Sequence, residues 1–140
     1  MRCQLSVDKT VNEGVIYFRL VGDTFDPEAI TKRLGIQPSR IKRKGNPTPK
    51  LTFWELSSEK VTGEVVDVYE IAEPLIRQLQ PKAKAIRALV DELQLRALLQ
   101  VVLWITTDES KSTPAVGFDE KTIQFLSKAR GSVDVDIYRS

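Results

Sequence analysis

Apolar residues are most concentrated over residues 98–106, a run rich in leucine, valine and isoleucine. This composition predicts a central β-strand. Side chains alternate between the two faces of a strand, and here both sets are apolar: Leu99, Val101, Leu103 and Ile105 on one face, and Leu98, Val102 and Trp104 on the other. A sheet covered on one side normally shows a polar second face. We therefore expect the second face to meet another chain, a ligand, or a segment folded back.

Shorter patterns predict the other elements. Asp26 and Pro27 suit the start of a helix, because aspartate caps free amides and proline fits the first helical position. Gly35 is typical of the helix end. The other expected helices lie within residues 68–93, where Pro74 either kinks a helix or precedes its start, and over residues 120–128, with Gly131 marking the end. The remaining expected strands are residues 14–21, 40–44, 51–57 and 132–139.

This order of elements predicts an α+β fold of the ferredoxin-like, split βαβ type. The expected sheet is mainly antiparallel, with about five strands, and its helices lie on one face because crossovers are right-handed. Residues 1–13 are expected to form an extended arm, and residues 14–140 a single domain. By alternation, the uncovered face is expected to carry Tyr17, Arg19, Gln100, Trp104, Asp134, Asp136 and Tyr138.

Three sequence motifs resemble those of the domain-of-unknown-function family numbered 4279. They are Phe25-Asp26-Pro27 continuing to Gln37-Pro38, then Trp54-Glu55-Leu56-Ser57-Ser58, and finally Val133-Asp134-Val135-Asp136-Ile137-Tyr138. The resemblance spans about residues 14–139 and keeps the order of the motifs. It implies a bacterial, intracellular single domain with no established activity, and it supplies no catalytic residue.

Charge is unevenly distributed along the chain, although the net charge is only +2. No acid lies between Glu28 and Glu55, and this segment contains basic residues that could contact phosphate: Arg40, Lys42, Arg43, Lys44 and Lys50. A solvated edge and loop is the competing interpretation, and we favour it because aromatic residues do not interleave with the bases.

Little in the composition indicates catalysis. The chain has no histidine, the commonest general base and transition-metal ligand, and Cys3 is its only cysteine. Asp134 and Asp136 share a strand face and are the sharpest candidate pair for acid–base chemistry or a divalent cation. An exposed polar face, with Arg19 pairing to one aspartate, is the interpretation we favour. We expect no metal, no cofactor and no enzymatic activity.

Three functions remain open, and we rank them. The first is a protein-interaction module acting through the open face, as a homodimer or with a partner protein. The second is nucleic-acid binding through residues 40–50, and the third is a small-molecule or metal site around Arg19, Asp134 and Asp136. No apolar run is long enough to span a membrane and the N-terminus lacks a signal peptide, so the expected location is cytoplasmic. Residues 1–13 or the helices of residues 68–93 folding over the open face would instead leave a monomer.

Overall fold

The computed structural model describes residues 10–139, which form one sheet packed against a layer of helices. The strands are β1 (Asn12–Gly22), β2 (Arg40–Lys42), β3 (Thr52–Ser57), β4 (Val61–Gly63), β5 (Arg96–Ile105) and β6 (Gly131–Arg139). The helices are α1 (Pro27–Leu34), α2 (Val68–Leu79), α3 (Ala83–Leu93) and α4 (Glu120–Ala129), and a 3-10 turn at Gln80–Lys82 joins α2 to α3. The predicted α+β class is confirmed.

The sheet is mixed, with strand order β2-β3-β1-β5-β6. β1 is antiparallel to β3, β4 and β5, and β2 is antiparallel to β3, whereas β5 and β6 are parallel. Six strands are present in the described residues rather than about five, because β4 also pairs with the start of β1. β4 was missed because it has only three residues and ends at Gly63, which leaves no alternation to recognise.

All four helices bury their apolar stripes against the same face of the sheet. From β1 and β5 this face presents fully buried side chains: Ile16, Phe18, Leu20, Leu99, Val101 and Leu103. Phe18 meets Phe125 of α4 edge to face, with ring centroids 5.4 Å apart. The helices of residues 68–93 therefore lie on the other side of the sheet from the open face. The alternative in which they fold over the open face is wrong.

Local signals set most of the helix boundaries. Asp26 accepts a hydrogen bond from the Glu28 amide, and Gly35 has the left-handed backbone (φ 68°), so both ends of α1 are as predicted. α2 runs unbroken through Pro74 from its cap at Asp67. The end of α4 differs from the prediction, because Arg130, and not Gly131, takes the left-handed conformation (φ 63°).

Asn12 connects the beginning of β1 to two distant loops. Its amide nitrogen donates to the Ser112 carbonyl at 2.9 Å and to the Glu64 carbonyl at 3.3 Å. Its side-chain oxygen accepts from the Thr106 amide at 2.9 Å. Asn12 is fully buried, so these bonds satisfy a polar group that water does not reach.

β1 begins two residues earlier than predicted, at Asn12, which takes residues 12 and 13 out of the expected arm. Residues 1–9 of that arm, including Cys3, and Ser140 lie outside the described residues. Within residues 10–139, no helix combines the length and the apolar character needed to cross a bilayer.

Candidate interaction surface on the open sheet face

The face of the sheet opposite the helices is built by alternation along five strands. We call this surface the open face. Its residues are Glu13, Val15, Tyr17, Arg19 and Val21 of β1, Arg40 and Lys42 of β2, Phe53, Glu55 and Ser57 of β3, Arg96, Leu98, Gln100, Val102 and Trp104 of β5, and Ser132, Asp134, Asp136 and Tyr138 of β6. All seven residues predicted for the uncovered face lie on it.

Glu55 is the most enclosed charge of the open face, and two arginines enclose it. The register places Glu55 between Arg19 on β1 and Arg40 on β2. The Arg19 Nε donates to Glu55 Oε1, and the Arg40 Nε lies 3.4 Å from Glu55 Oε2. Both guanidinium groups also lie over the Phe53 ring, at 5.2 and 4.9 Å from its centroid. Glu55 is thereby only 3% exposed without any helix above it.

The predicted pairing of Arg19 with an aspartate of the last strand is wrong. β5 lies between β1 and β6, and the register sets Arg19 level with Ser132, so Arg19 is about 12 Å from Asp134 and about 16 Å from Asp136 along the sheet. Its neighbours across the strands are Glu55 and Leu98. The structure therefore does not bring Arg19, Asp134 and Asp136 together as one small-molecule or metal site.

A second enclosed carboxylate lies at the other end of the open face. Glu13 is 4% exposed, and Lys60 Nζ lies 3.4 Å from its Oε2. The same ammonium group lies 5.0 Å from the centroid of the Trp104 ring. Trp104 in turn stacks against Tyr138 of β6, with centroids 6.0 Å apart. The aromatic residues here are therefore partly covered by their own chain and partly exposed.

The β6 side of the open face is acidic. Asp136 Oδ2 accepts a hydrogen bond from Gln100 Nε2 at 2.9 Å, and Asp134 is exposed. Among the described residues, no group of three or more histidine, cysteine, aspartate or glutamate side chains is placed to hold a metal ion.

Much of the basic stretch, which is residues 40–50, is already paired with acids of its own chain. Arg43 Nη2 lies 3.4 Å from Asp26 Oδ1, and Lys44 Nζ donates to Asp23 Oδ1 at 2.6 Å. This hydrogen bond holds the pKa of Asp23 below its usual value. Arg40 pairs with Glu55, so Lys42 and Lys50 are the predicted phosphate contacts that form no ion pair with residues 10–139.

Sequence reasoning missed Phe53, Glu55, Glu13 and Lys60, although alternation puts Phe53 and Glu55 on the face opposite Trp54. Trp54 is buried as predicted, with its indole nitrogen donating to Thr31 Oγ1 at 3.0 Å. Alternation could therefore have placed Phe53 and Glu55 on this face. The ion-pair partners of Glu55 and Glu13 could not be found in this way, because they depend on the pairing of distant strands.

A family model described as a domain of unknown function (DUF4279) matches residues 10–140. The match covers all six strands and all four helices, and thus every residue of the open face. No curated protein and no solved structure matches the chain.

Proposed function

Since the chain belongs to the DUF4279 family, whose description assigns no function, we propose a function from the open face itself: a protein-interaction module that forms a homodimer. The observation that carries this proposal is the placement of opposite charges at the two sides of an apolar sheet face. Near its centre lie Leu98 and Val102, which are half-buried, beside Val15, which is 4% exposed, and no described helix covers them. Side chains of the same face already shield part of this apolar centre, and the part that stays exposed supports an interaction site.

The charges of the open face are self-complementary. Its β2-β3-β1 side is basic, because Arg19, Arg40 and Lys42 outnumber the single acid Glu55. Its β6 side carries the acids Asp134 and Asp136. A twofold axis that lies between two packed sheets, crosses β1 near Arg19 and is inclined to β1 by about 35° would lay Lys42 of one protomer over Asp134 of the other, twice. Such an arrangement favours association and fixes its orientation.

The size of the face is compatible with a modest dimer interface. β5 has ten residues, or about 33 Å at about 3.3 Å per residue, and neighbouring strands are about 4.8 Å apart. A face five strands wide, with two of them short, offers roughly 600 Å² per protomer, near the lower end for specific interfaces. The apolar centre and charged rim also match the usual anatomy of an interface.

The two alternative functions have weaker support. Nucleic-acid binding requires free cations, whereas Arg40, Arg43 and Lys44 are engaged with acids. A small-molecule site around Arg19 requires aspartates that lie two strands away. The absence of histidine remains the reason to favour a non-enzymatic role.

We also propose that the fold is ferredoxin-like and that the protein is bacterial and cytoplasmic. The order β2-β3-β1-β5 with antiparallel neighbours supports the ferredoxin-like assignment, with β6 as an added parallel edge. The family resemblance supports a bacterial, cytoplasmic setting.

Solution mass by light scattering tests the dimer on the full chain. We expect twice the 15.8 kDa of one chain, and a single-chain mass for Leu98→Glu. The new carboxylate would lie beside Arg19, so the monomer should fold, but it would place a charge in the centre of the interface. Ile123→Glu is the matched control, because Ile123 is exposed on α4 and lies outside the open face.

A charge exchange then tests the orientation. Lys42→Glu and Asp134→Lys should each weaken the dimer alone, and an equimolar mixture should form the heterodimer, detected by native mass spectrometry. A native protein that is monomeric at 0.1 mM, or a dimer that Leu98→Glu leaves intact, would contradict the proposal.

A further inference from the structure

The outer edge of β6 is a free sheet edge of unusual length. β6 pairs with β5 along all nine of its residues, and no strand of residues 10–139 pairs with its other side. Backbone groups of a strand point alternately to its two sides, so this edge presents a row of unpaired N–H and C=O groups. Nine residues exceed the usual strand length of about five to six.

The side chains beside this edge differ between its two sides. On the helix side Val133 and Ile137 are exposed, Ile137 by 57%, whereas Val135 between them packs against the helix-covered core. On the open face Asp134 and Asp136 carry two negative charges at alternate positions. A strand added here would meet apolar groups on one side and carboxylates on the other.

A second copy of β6 does not fit this edge. Antiparallel pairing about a twofold axis at Val135 would set Asp134 directly opposite Asp136 of the second copy, and the symmetry repeats the clash. Like charges directly opposite each other in a sheet are destabilising. A twofold axis at Asp134 or at Asp136 likewise sets that aspartate opposite its own copy, so every antiparallel self-pairing longer than about five residues meets this repulsion, and the edge disfavours a second copy.

We propose that the outer edge of β6 binds an extended segment of a partner protein in which basic and apolar residues alternate. Main-chain hydrogen bonds to β6 supply affinity, and the alternation supplies specificity. Basic side chains pair with Asp134 and Asp136, while apolar ones cover Val133 and Ile137. This inference uses the backbone edge of the sheet, so it does not rest on the homodimer proposed for the open face, but the two compete for Asp134 and Asp136. The monomeric Leu98→Glu variant should therefore bind the segment at least as tightly as the native protein.

A capped nine-residue peptide in which lysine and valine alternate serves as the probe, and its glutamate–valine counterpart as the control. Calorimetry should show the lysine peptide binding at least tenfold more tightly to the full chain. The double variant Asp134→Asn/Asp136→Asn should weaken it about fivefold, as expected for two exposed ion pairs. Glu59→Gln/Glu70→Gln, which neutralises an exposed acid before β4 and another on α2, should leave it unchanged.

Backbone methylation separates strand addition from simple charge attraction. In an extended peptide the lysine amides point to one edge and the valine amides to the other. Methylating either all lysine amides or all valine amides therefore blocks one edge, and one of the two peptides should lose binding while the other keeps it. Equal binding of both methylated peptides, or equal binding of the glutamate peptide, would overturn the inference.

The failure of this inference is distinguishable from that of the homodimer. Leu98→Glu changes the open face and leaves the β6 edge intact, so this variant should still bind the lysine peptide. Should the Leu98→Glu variant still self-associate without peptide, and lose that association when the lysine peptide is added, a second copy would already occupy the edge. That result would also overturn the inference.

Discussion

Trp54 and Glu55 are neighbours on β3, and both are almost fully buried, at 0% and 3% exposure. On the helix face, Trp54 is enclosed by packed helices, and its indole bonds to Thr31. On the open face, Glu55 is enclosed by Arg19 and Arg40, whose own side chains are 27% and 51% exposed. One face is closed by whole elements of structure, the other by long side chains that can rearrange when a partner arrives.

The largest effect should come from the helix face. Trp54→Ala should reduce the free energy of unfolding by about 3–5 kcal/mol, the usual cost of removing a core aromatic residue. Urea denaturation measures this loss. Trp54→Phe is the second variant in case the first does not fold, and it should cost less, because it removes the Thr31 hydrogen bond but keeps most of the apolar contact. A loss below about 1 kcal/mol for Trp54→Ala would contradict the difference between the faces.

A smaller effect should come from the open face. Glu55→Gln keeps the size of the side chain but removes the charge that Arg19 and Arg40 share, so the two guanidinium groups repel each other. We expect a loss of about 1–2 kcal/mol in urea denaturation, because both arginines remain partly solvated. Added salt should shrink this loss and leave that of Trp54→Ala unchanged. Glu59→Gln is the control, because Glu59 is an exposed acid without an ion pair among residues 10–139. Equal losses of unfolding free energy for Glu55→Gln and Trp54→Ala would contradict the difference between the two faces.

The smallest effect concerns the basic stretch beside the open face. Since most of its cations are engaged, the native protein should bind single- or double-stranded nucleic acid only weakly at physiological salt. Replacing Arg40, Lys42, Arg43 and Lys44 by glutamine should therefore change fluorescence-anisotropy titrations little. A tight complex that the quadruple variant loses, with a reduced salt slope, would promote nucleic-acid binding above the homodimer.

The sequence was sufficient where structure depends on neighbours along the chain. The cap at Asp26, the turn at Gly35 and the two apolar faces of β5 all follow from local spacing and were predicted. The seven residues expected on the uncovered face also lie on it, because alternation along β1, β5 and β6 needs no knowledge of which strands pair.

The sequence was insufficient where structure depends on register. Arg19 bonds to Glu55 because β1 and β3 pair residue 19 with residue 55, and no local pattern states this pairing. The left-handed Arg130 was missed for another reason. The adjacent glycine is the better candidate by intrinsic preference, but Gly131 already pairs with Ala97 as the first residue of β6, so the left-handed turn falls on Arg130.

The bonds of Asn12 imply that three segments open as one. Its single amide joins the start of β1 to the carbonyls of Glu64 and Ser112 and to the Thr106 amide, across separations of 52, 100 and 94 residues. Breaking any of these bonds leaves a buried donor or acceptor without a partner, so partial opening is disfavoured. The loops on either side therefore loosen together. This end of the sheet should therefore behave as one cooperative unit in hydrogen exchange, although its parts are far apart in the chain.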